Sequence, residues 1–346
     1  MTAMESVVDV ARIHGTGDIR VAKEPASVAG PGEVLLRVTA VGLCGSDLHW
    51  YQEGAIGDAR LSRPLVLGHE FAGTIADGPR AGQRVVADPA CDCGKCGPCL
   101  DGRSNVCTAM RFAGHGTTDG ALRSVMPWPD RLLVPIPDSI GTDEAPLLEP
   151  LGVAVHALHL AQIGPGVRAG VYGCGPIGLL LVRLLALRGA SVVVGTDCLE
   201  HRVAAARAYG ATVAFQVDDA QGAEMSRDRL LAREQSVDVA FEVSGSDAAL
   251  SDAIEAVRPS GRVVLVGIPA GDRTTFEAGA ARRKELALLL CRRMVPTDLH
   301  EAISLVAAGE VDLADLITAR FPLTRAPEAF ATLALRSGVK VIVNPS

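Results

Sequence analysis

Four cysteines stand close together in the 346-residue chain, separated by two, two and seven residues. They are Cys93, Cys96, Cys99 and Cys107. Four thiolates at such spacing are typical of a closed tetrahedral zinc site, which stabilises a fold and leaves no coordination position open. Disulfides between such close neighbours would be strained. The spacing therefore predicts a structural zinc ion on these four residues, with the nearby Cys91 not a ligand.

A second set of candidate metal ligands is spread along the chain. Cys44 lies in a Gly-Leu-Cys-Gly-Ser-Asp-Leu-His segment, His69 and Glu70 are adjacent, and Glu149 precedes a proline. Taken singly, these residues are explained as a buried cysteine, a core histidine and a helix cap. Together, one thiolate, one imidazole and carboxylates suit a zinc ion that keeps an exchangeable position. The combination predicts a catalytic zinc site.

A glycine-rich turn, Gly-Cys-Gly-Pro-Ile-Gly, follows an apolar strand and opens an apolar helix. Its glycines allow a pyrophosphate to approach the backbone at the helix N-terminus. Asp197 lies 19 residues beyond the last of these glycines, where a carboxylate accepts hydrogen bonds from a ribose and repels a 2′-phosphate. The pattern predicts a site that prefers NAD, with Arg202 placed to contact the adenine or a phosphate. The residues assigned to this site are Gly173, Gly175, Pro176, Gly178, Asp197 and Arg202.

The elements that must position these residues change in character along the chain. Up to about residue 150, short Val/Leu strands such as 33–41 and 71–75 are interrupted by Gly and Pro, which indicates a β-rich domain. From about residue 166, apolar strands alternate with helices, which indicates a parallel sheet covered on both faces. We therefore expect a catalytic domain over 1–155 with a zinc lobe at 91–107, a dinucleotide domain over 156–294, and a return to the first domain over 295–346.

Composition narrows the class of protein. The hydrophobic content of 48% and charged content of 21% are those of a globular protein. A net charge of −7 argues against nucleic acid or an anionic membrane as a partner. The chain contains no apolar run long enough for a membrane helix and no signal peptide, so we expect a cytoplasmic protein. In that reducing compartment, nine cysteines favour metal binding over disulfides.

These motifs together resemble the zinc-containing medium-chain dehydrogenase/reductase (alcohol dehydrogenase) family, and most of all its sorbitol (polyol) and threonine dehydrogenase branch. The similarity runs almost end to end. It includes Cys-Gly-Ser-Asp-Leu-His from Cys44, Gly-His-Glu-x2-Gly from Gly68, the four-cysteine lobe, Glu-Pro-Leu at Glu149, the Gly-Pro-Ile-Gly turn, and Arg-Phe-Pro-Leu at Arg320. The resemblance implies an α/β protein with a GroES-like β-rich domain, a Rossmann domain with a doubly wound parallel sheet, and a homo-oligomer, either dimer or tetramer.

The resemblance also implies roles for individual residues. Cys44, His69 and Glu149 hold or approach the catalytic zinc, and Glu70 is an exchanging ligand. Zinc polarises the substrate oxygen, and hydride passes to the nicotinamide. The proton leaves through Ser46, the nicotinamide ribose and His49, and Asp47 orients His69. Further cofactor contacts are implied for Ile177, Val266, Gly267, Ile268 and the 291–293 loop, and substrate contacts for Trp50 and Arg293.

The predicted activity is NAD-dependent oxidation of a secondary alcohol, a polyol or vicinal diol, to a ketone. The alternatives are L-threonine 3-dehydrogenase, which shares the zinc motifs, and an inactive zinc-stabilised binding protein. The complete set of ligand and relay residues argues against the last. Trp50 and Met294 stand where the polyol branch has tyrosine, so the resemblance leaves the particular alcohol open.

Overall fold

The computed structural model of the chain describes residues 7–217 and 236–345. They divide into two compact units, one within Met1–Pro150 and Val295–Ser346 and the other within Leu151–Met294. Among the described residues, no helix combines the length and apolar character required to cross a bilayer.

The first stretch of the chain is built from strands with few helices. Its strands are β1 (Val7–Gly15), β2 (Asp18–Pro25), β3 (Glu33–Leu43), β4 (Ala55–Ile56), β5 (Ala59–Arg60), β6 (Leu65–Val66), β7 (Glu70–Ile75), β8 (Arg84–Ala87), β9 (Ala90–Cys91), β10 (Arg111–Phe112), β11 (Val125–Pro129) and β12 (Leu133–Pro135). Its helices are α1 (Gly45–Glu53) and α2 (Gly97–Leu100), and α3 (Leu148–Ala161) runs into the second unit.

The middle and last stretches follow in chain order. The strands are β13 (Arg168–Tyr172), β14 (Val192–Asp197), β15 (Val213–Gln216), β16 (Val237–Glu242), β17 (Val257–Leu265), β18 (Ala287–Leu290), β19 (Ile317–Pro322) and β20 (Lys340–Asn344). The helices are α4 (Pro176–Leu187), α5 (Glu200–Ala208), α6 (Asp247–Ala256), α7 (Ala278–Arg283), α8 (Pro296–Ala307) and α9 (Ala326–Ala334). Single 3₁₀ turns occur at Ser104–Val106, Asp130–Leu132, Ala145–Leu147, Ala270–Asp272, Ala314–Leu316 and Leu323–Arg325.

The β-rich unit is organised around a seven-stranded sheet in the order β12-β8-β7-β3-β20-β19, with β11 also paired to β3. Strand β20, from the end of the chain, pairs antiparallel with β3, so that Val341 lies opposite Leu43. The core beneath this sheet is built mainly from aliphatic side chains, with Trp50, Phe71, Trp128 and Phe330. This pairing brings the last strand to the residues that lead into Cys44.

The second unit contains a six-stranded parallel sheet in the order β15-β14-β13-β16-β17-β18. This is the doubly wound arrangement, in which ligands bind at the carboxyl ends of the strands where the strand order reverses. Strand β13 is that reversal point, and the glycine-rich turn follows it directly. The fold class expected from the sequence is confirmed.

Sequence reasoning missed several strands of the β-rich unit, among them β1, β2 and β11. Strand β11 reads Val-Met-Pro-Trp-Pro, and proline is a poor strand residue because it lacks an N–H donor. Its register nevertheless runs unbroken along β3, from Val125 opposite Arg37 to Pro129 opposite Glu33. Tertiary pairing overrides the local signal at this position.

Candidate metal centres and dinucleotide site

Cys44, His69 and Glu70 meet at one end of β3 and β7. Cys44 follows β3 as the N-cap of α1, His69 lies between β6 and β7, and Glu70 begins β7. Their donor atoms all lie within 4.8 Å of one another, and both His69 and Glu70 are buried. One thiol, one imidazole and one carboxylate fit a zinc ion with an open position.

Asp47 holds this arrangement together. Its Oδ2 accepts the backbone N–H of Cys44 at 2.9 Å, and its Oδ1 accepts that of Gly68 at 3.3 Å. The same Oδ1 lies 3.6 Å from Nδ1 of His69. Burial lowers the pKa of His69, but Asp47 and Cys44 outweigh it, and the pKa lies well above the usual value. Asp47 therefore lies where its carboxylate can orient the His69 imidazole.

Lys340 is a functional candidate that sequence reasoning missed. It is 1% exposed, and its Nζ lies 2.7 Å from both carboxylate oxygens of Glu70 and 3.2 Å from the Leu43 carbonyl oxygen. Gly42 makes room for this carboxylate, because a Cβ there would lie 2.2 Å from Oε2 of Glu70. Burial lowers the pKa of Lys340, but the attraction of Glu70 prevails and the pKa is raised. The only sequence signal was a charged residue opening an otherwise apolar terminal strand.

Glu149 lies in the first turn of α3 and is 5% exposed. Burial raises the pKa of its carboxyl to about 7, opposed by His69 and reinforced by Glu70. Among the described residues, the group of donors within 4.8 Å comprises Cys44, His69 and Glu70, without Glu149. Glu70 therefore lies with the donor atoms of Cys44 and His69, whereas Glu149 lies outside that group.

The two relay candidates lie on α1. Ser46 is in its first turn, and both Ser46 and His49 are half-buried. Nδ1 of His49 lies 2.7 Å from Oε1 of Glu53, one helical turn further on. This hydrogen bond occupies one ring nitrogen of His49 and fixes the orientation of the ring.

The four-cysteine lobe forms a second donor group, with all four sulfurs within 4.8 Å of one another. Cys107 Sγ accepts the backbone N–H groups of Cys93 at 3.3 Å and Ala109 at 3.4 Å. The backbone N–H groups of Thr108 and Cys99 lower the pKa of Cys96 to about 6, whereas burial raises that of Cys99 to about 12. Four thiolates this close need a cation to compensate their charge, which a zinc ion supplies.

Cys91 stands apart from this donor group. It lies in β9, with its sulfur 3.3 Å from Nη2 of Arg111. Arg131 anchors the same segment by donating to Asp92 Oδ1 at 2.8 Å and to the Asp92 carbonyl oxygen at 2.9 Å. These contacts fix the lobe to the β-rich unit.

The glycine-rich turn has the geometry that its sequence predicts. Gly173 adopts φ +103°, and α4 begins at Pro176 with Gly175 as its N-cap. A Cβ on Gly178 would lie 1.9 Å from the carbonyl oxygen of Gly173, so this position admits only glycine. Gly178 thus lets the first turn of α4 pack tightly against Gly173. The N-terminus of α4, whose backbone N–H groups suit an anion, follows this turn directly.

Asp197 ends β14 beside this turn and is 6% exposed. Its Oδ2 accepts the N–H of Cys174 at 2.9 Å, and its Oδ1 accepts that of Leu199 at 2.9 Å. Nη1 of Arg202 lies 3.8 Å from Oδ2. A carboxylate has about four lone-pair positions, so acceptor capacity remains for ribose hydroxyls.

The other predicted cofactor and substrate residues are placed as follows. Ile177 lies in the first turn of α4. Val266, Gly267 and Ile268 follow β17 at the carboxyl edge of the parallel sheet, with Ile268 45% exposed. Arg293 follows β18 and adopts φ +57°. Trp50 belongs to the hydrophobic core at 1% exposure.

A parallel doubly wound sheet with a dinucleotide turn, joined in one chain to one closed and one open zinc-type donor set, defines a zinc-dependent nicotinamide oxidoreductase. Residues 30–138 match the alcohol dehydrogenase GroES-like domain, and residues 176–308 match the zinc-binding dehydrogenase family. The chain belongs to the zinc-containing alcohol dehydrogenase family.

Its relatives include sorbitol dehydrogenase of Bacillus subtilis, 33% identical over 96% of each chain. Similar solved structures include L-idonate 5-dehydrogenase from Escherichia coli, with a TM-score of 0.89 and 29% identity over 98% of each chain. They also include 2R,3R-butanediol dehydrogenase from Bacillus subtilis, with a TM-score of 0.85 and 28% identity, covering 98% of this chain and 100% of that one.

Proposed function

We propose that the protein oxidises a secondary hydroxyl group of a polyol or vicinal diol to the ketone, with NAD as the acceptor. The reaction type rests on the Cys44–His69–Glu70 donor group, in which His69 and Glu70 are buried and Cys44 is half-buried. A zinc ion on these three residues would keep a coordination position for a substrate oxygen. The substrate class rests on the similarity to sorbitol, L-idonate and butanediol dehydrogenases, which are named for polyhydroxylated substrates.

We assign the catalytic zinc to Cys44, His69 and Glu70, with Glu149 nearby, and the structural zinc to the four-cysteine lobe. When bound, the catalytic zinc polarises the substrate oxygen and NAD accepts the hydride. Asp47 keeps the His69 ring aligned, and Lys340 keeps the Glu70 carboxylate in place.

The remaining polar residues of this site handle the proton and the neighbouring hydroxyl. Ser46 and His49 carry the substrate proton outward, with Glu53 fixing the orientation of the His49 ring. The buried Glu149 carboxyl accepts a hydrogen bond from the hydroxyl group next to the reacting one. In the second unit, the Asp197 carboxylate accepts hydrogen bonds from the hydroxyl groups of the adenosine ribose, and its negative charge repels a 2′-phosphate.

Assembly and location belong to the same proposal. Strand β18 is an edge strand of the parallel sheet, and its Leu290 is 78% exposed. An open apolar edge favours pairing with a second copy, so we propose a homo-oligomer, dimer or tetramer. Five cysteine thiols in two zinc-type sites suit a reducing compartment, and we propose a cytoplasmic location.

The test is an NAD-reduction screen with the zinc-loaded protein. The kcat/KM is measured for sorbitol, xylitol and 2,3-butanediol and is compared with the kcat/KM for L-threonine. We expect at least one polyol or diol to exceed threonine by about tenfold or more. The reverse ratio would replace this proposal with L-threonine 3-dehydrogenase. No turnover with any alcohol, with both zinc sites filled, would support the binding-protein alternative.

A further inference from the structure

A row of aromatic rings leads away from the metal-ligand group within the β-rich unit. The ring centroid of Phe112 lies 5.3 Å from that of His69. The ring centroid of His115 lies 6.5 Å from that of Phe112, with the two rings at 84°, and it lies 5.6 Å from that of Trp50 in an edge-on contact. Phe112 therefore contacts both His69 and His115.

Exposure distinguishes the members of this row. Trp50 is buried at 1%, whereas Phe112 and His115 are half-buried. Trp50 therefore packs against the buried side of the His115 ring. Of the two half-buried rings, Phe112 and His115, only His115 carries polar atoms. Sequence reasoning had placed Trp50 against the substrate and had given His115 no role.

The turn that carries His115 is held firmly to the segment that carries His69. The N–H groups of Gly120, Ala121 and Leu122 bond to the carbonyl oxygens of Val66, Gly68 and Leu67 at 2.7 to 3.0 Å. A Cβ on Gly120 would lie 2.4 Å from the Gly68 carbonyl oxygen, so the two segments are in direct backbone contact.

Side chains secure the same segment closer to His115. Oδ1 of Asp119 accepts hydrogen bonds from Nη1 of Arg12 at 3.0 Å and from the backbone N–H of Val66 at 3.2 Å. Arg63 donates to the Thr117 carbonyl oxygen. On the other side of His115, the N–H of Ala113 bonds to the Pro89 carbonyl oxygen at 3.0 Å. Because the turn is held on both sides, the backbone of His115 is positioned relative to the metal-ligand group, as a group that recognises substrate requires.

We propose that His115 is a specificity-determining residue that hydrogen-bonds a hydroxyl group of the polyol remote from the reacting carbon. The inference rests on the proposed function. An imidazole both donates and accepts, as a hydroxyl group does, and the apolar faces of Phe112 and Trp50 exclude water from one side of the contact. A substrate with a single hydroxyl group makes no such contact, because its only oxygen belongs to the metal site.

The experiment compares His115→Phe and His115→Gln with the wild-type zinc-loaded enzyme. His115→Phe keeps the aromatic packing and removes both polar nitrogens, and His115→Gln keeps a donor and an acceptor. Each protein is assayed with sorbitol, xylitol and 2-butanol, with kcat and KM determined separately. Zinc content and melting temperature are measured in parallel, and His14→Phe, the same change at an exposed strand position, is the control.

We expect His115→Phe to lower kcat/KM for the two polyols by about tenfold, mainly through KM, with 2-butanol little changed. His115→Gln should recover part of that loss. An equal loss for all three alcohols, or none, would overturn the inference while leaving the proposed function intact. A wild-type enzyme that oxidises threonine in preference to the polyols would overturn both.

Discussion

Lys340 and Glu70 form a buried ion pair, although 270 residues separate them in the chain. Each side chain is 1% exposed, and Nζ lies 2.7 Å from both carboxylate oxygens. Because Glu70 also belongs to the Cys44–His69 donor group, a zinc ion bound there would interact with the same carboxylate as the ammonium. The last strand of the fold thus places a buried ammonium group beside the Cys44–His69–Glu70 donor group.

Replacing Lys340 with Met should destabilise the zinc-free protein by about 3–5 kcal/mol, because Glu70 is left buried without a partner. In the zinc-loaded protein the loss should be smaller, since the metal supplies the missing positive charge. Urea unfolding of both proteins, with and without zinc, measures this difference directly.

The structural zinc contributes equally to wild type and Lys340→Met, so it cancels in that comparison. Arg20→Met, which breaks the exposed pair with Asp18, serves as the control and should change stability by less than about 1 kcal/mol. An equal loss in the zinc-free and zinc-loaded states would show that Glu70 and the metal do not interact.

The two metal sites should respond differently to loss of one ligand. We expect two zinc ions per chain, one for each donor group. Cys44→Ala should abolish turnover and retain the structural zinc and a near-native melting temperature. Cys96→Ala should release the structural zinc and lower the melting temperature, because binding energy at a closed site is folding energy.

Elemental analysis and circular dichroism melts check these expectations. Cys91→Ala is the matched control, since Cys91 lies in the same region outside the donor group, and it should keep both zinc ions. One zinc ion or fewer in fully loaded wild-type protein would contradict the two-site assignment.

Asp197→Asn should reduce the preference for NAD over NADP. The substitution removes the charge that repels a 2′-phosphate and leaves Arg202, 3.8 Å away, to attract it. Since the asparagine amide cannot accept both N–H groups that Asp197 accepts, stability should also fall by about 1–3 kcal/mol. The ratio of kcat/KM for the two cofactors is the measurement.

Glu200→Gln removes an exposed carboxylate in the following helix and is the control for charge alone. It should leave the cofactor ratio unchanged. A wild-type enzyme with the higher kcat/KM for NADP would contradict the assignment of Asp197.

Gly178→Ala should destabilise the second unit by about 1–3 kcal/mol, because the added methyl group would lie 1.9 Å from the Gly173 carbonyl oxygen. The shift of the turn should also raise KM for NAD. Gly164→Ala, at an exposed turn position where a Cβ meets nothing within 4 Å, is the control and should be near neutral. If both variants unfold at the same urea concentration, the tight contact of Gly178 is unimportant.

Local sequence determined the parts of this protein that depend on neighbouring residues. The four cysteines, the glycine-rich turn and the strand-helix alternation each occupy a short stretch of chain. Residue types and spacing alone therefore predicted a zinc lobe and a parallel sheet covered by helices on both faces. Backbone geometry links such residues whatever the rest of the chain does.

Tertiary structure decided the contacts between distant segments. The pairing of β20 with β3 placed Lys340 on Glu70, and the position of α3 left Glu149 outside the closest donor group. The packing of α1 buried Trp50 beneath His115. A periodic pattern tells which face of a strand or helix is apolar, but the partner of a side chain depends on which strands pair and in what register. That register is set by the packing of the whole core, and no short stretch of sequence contains it.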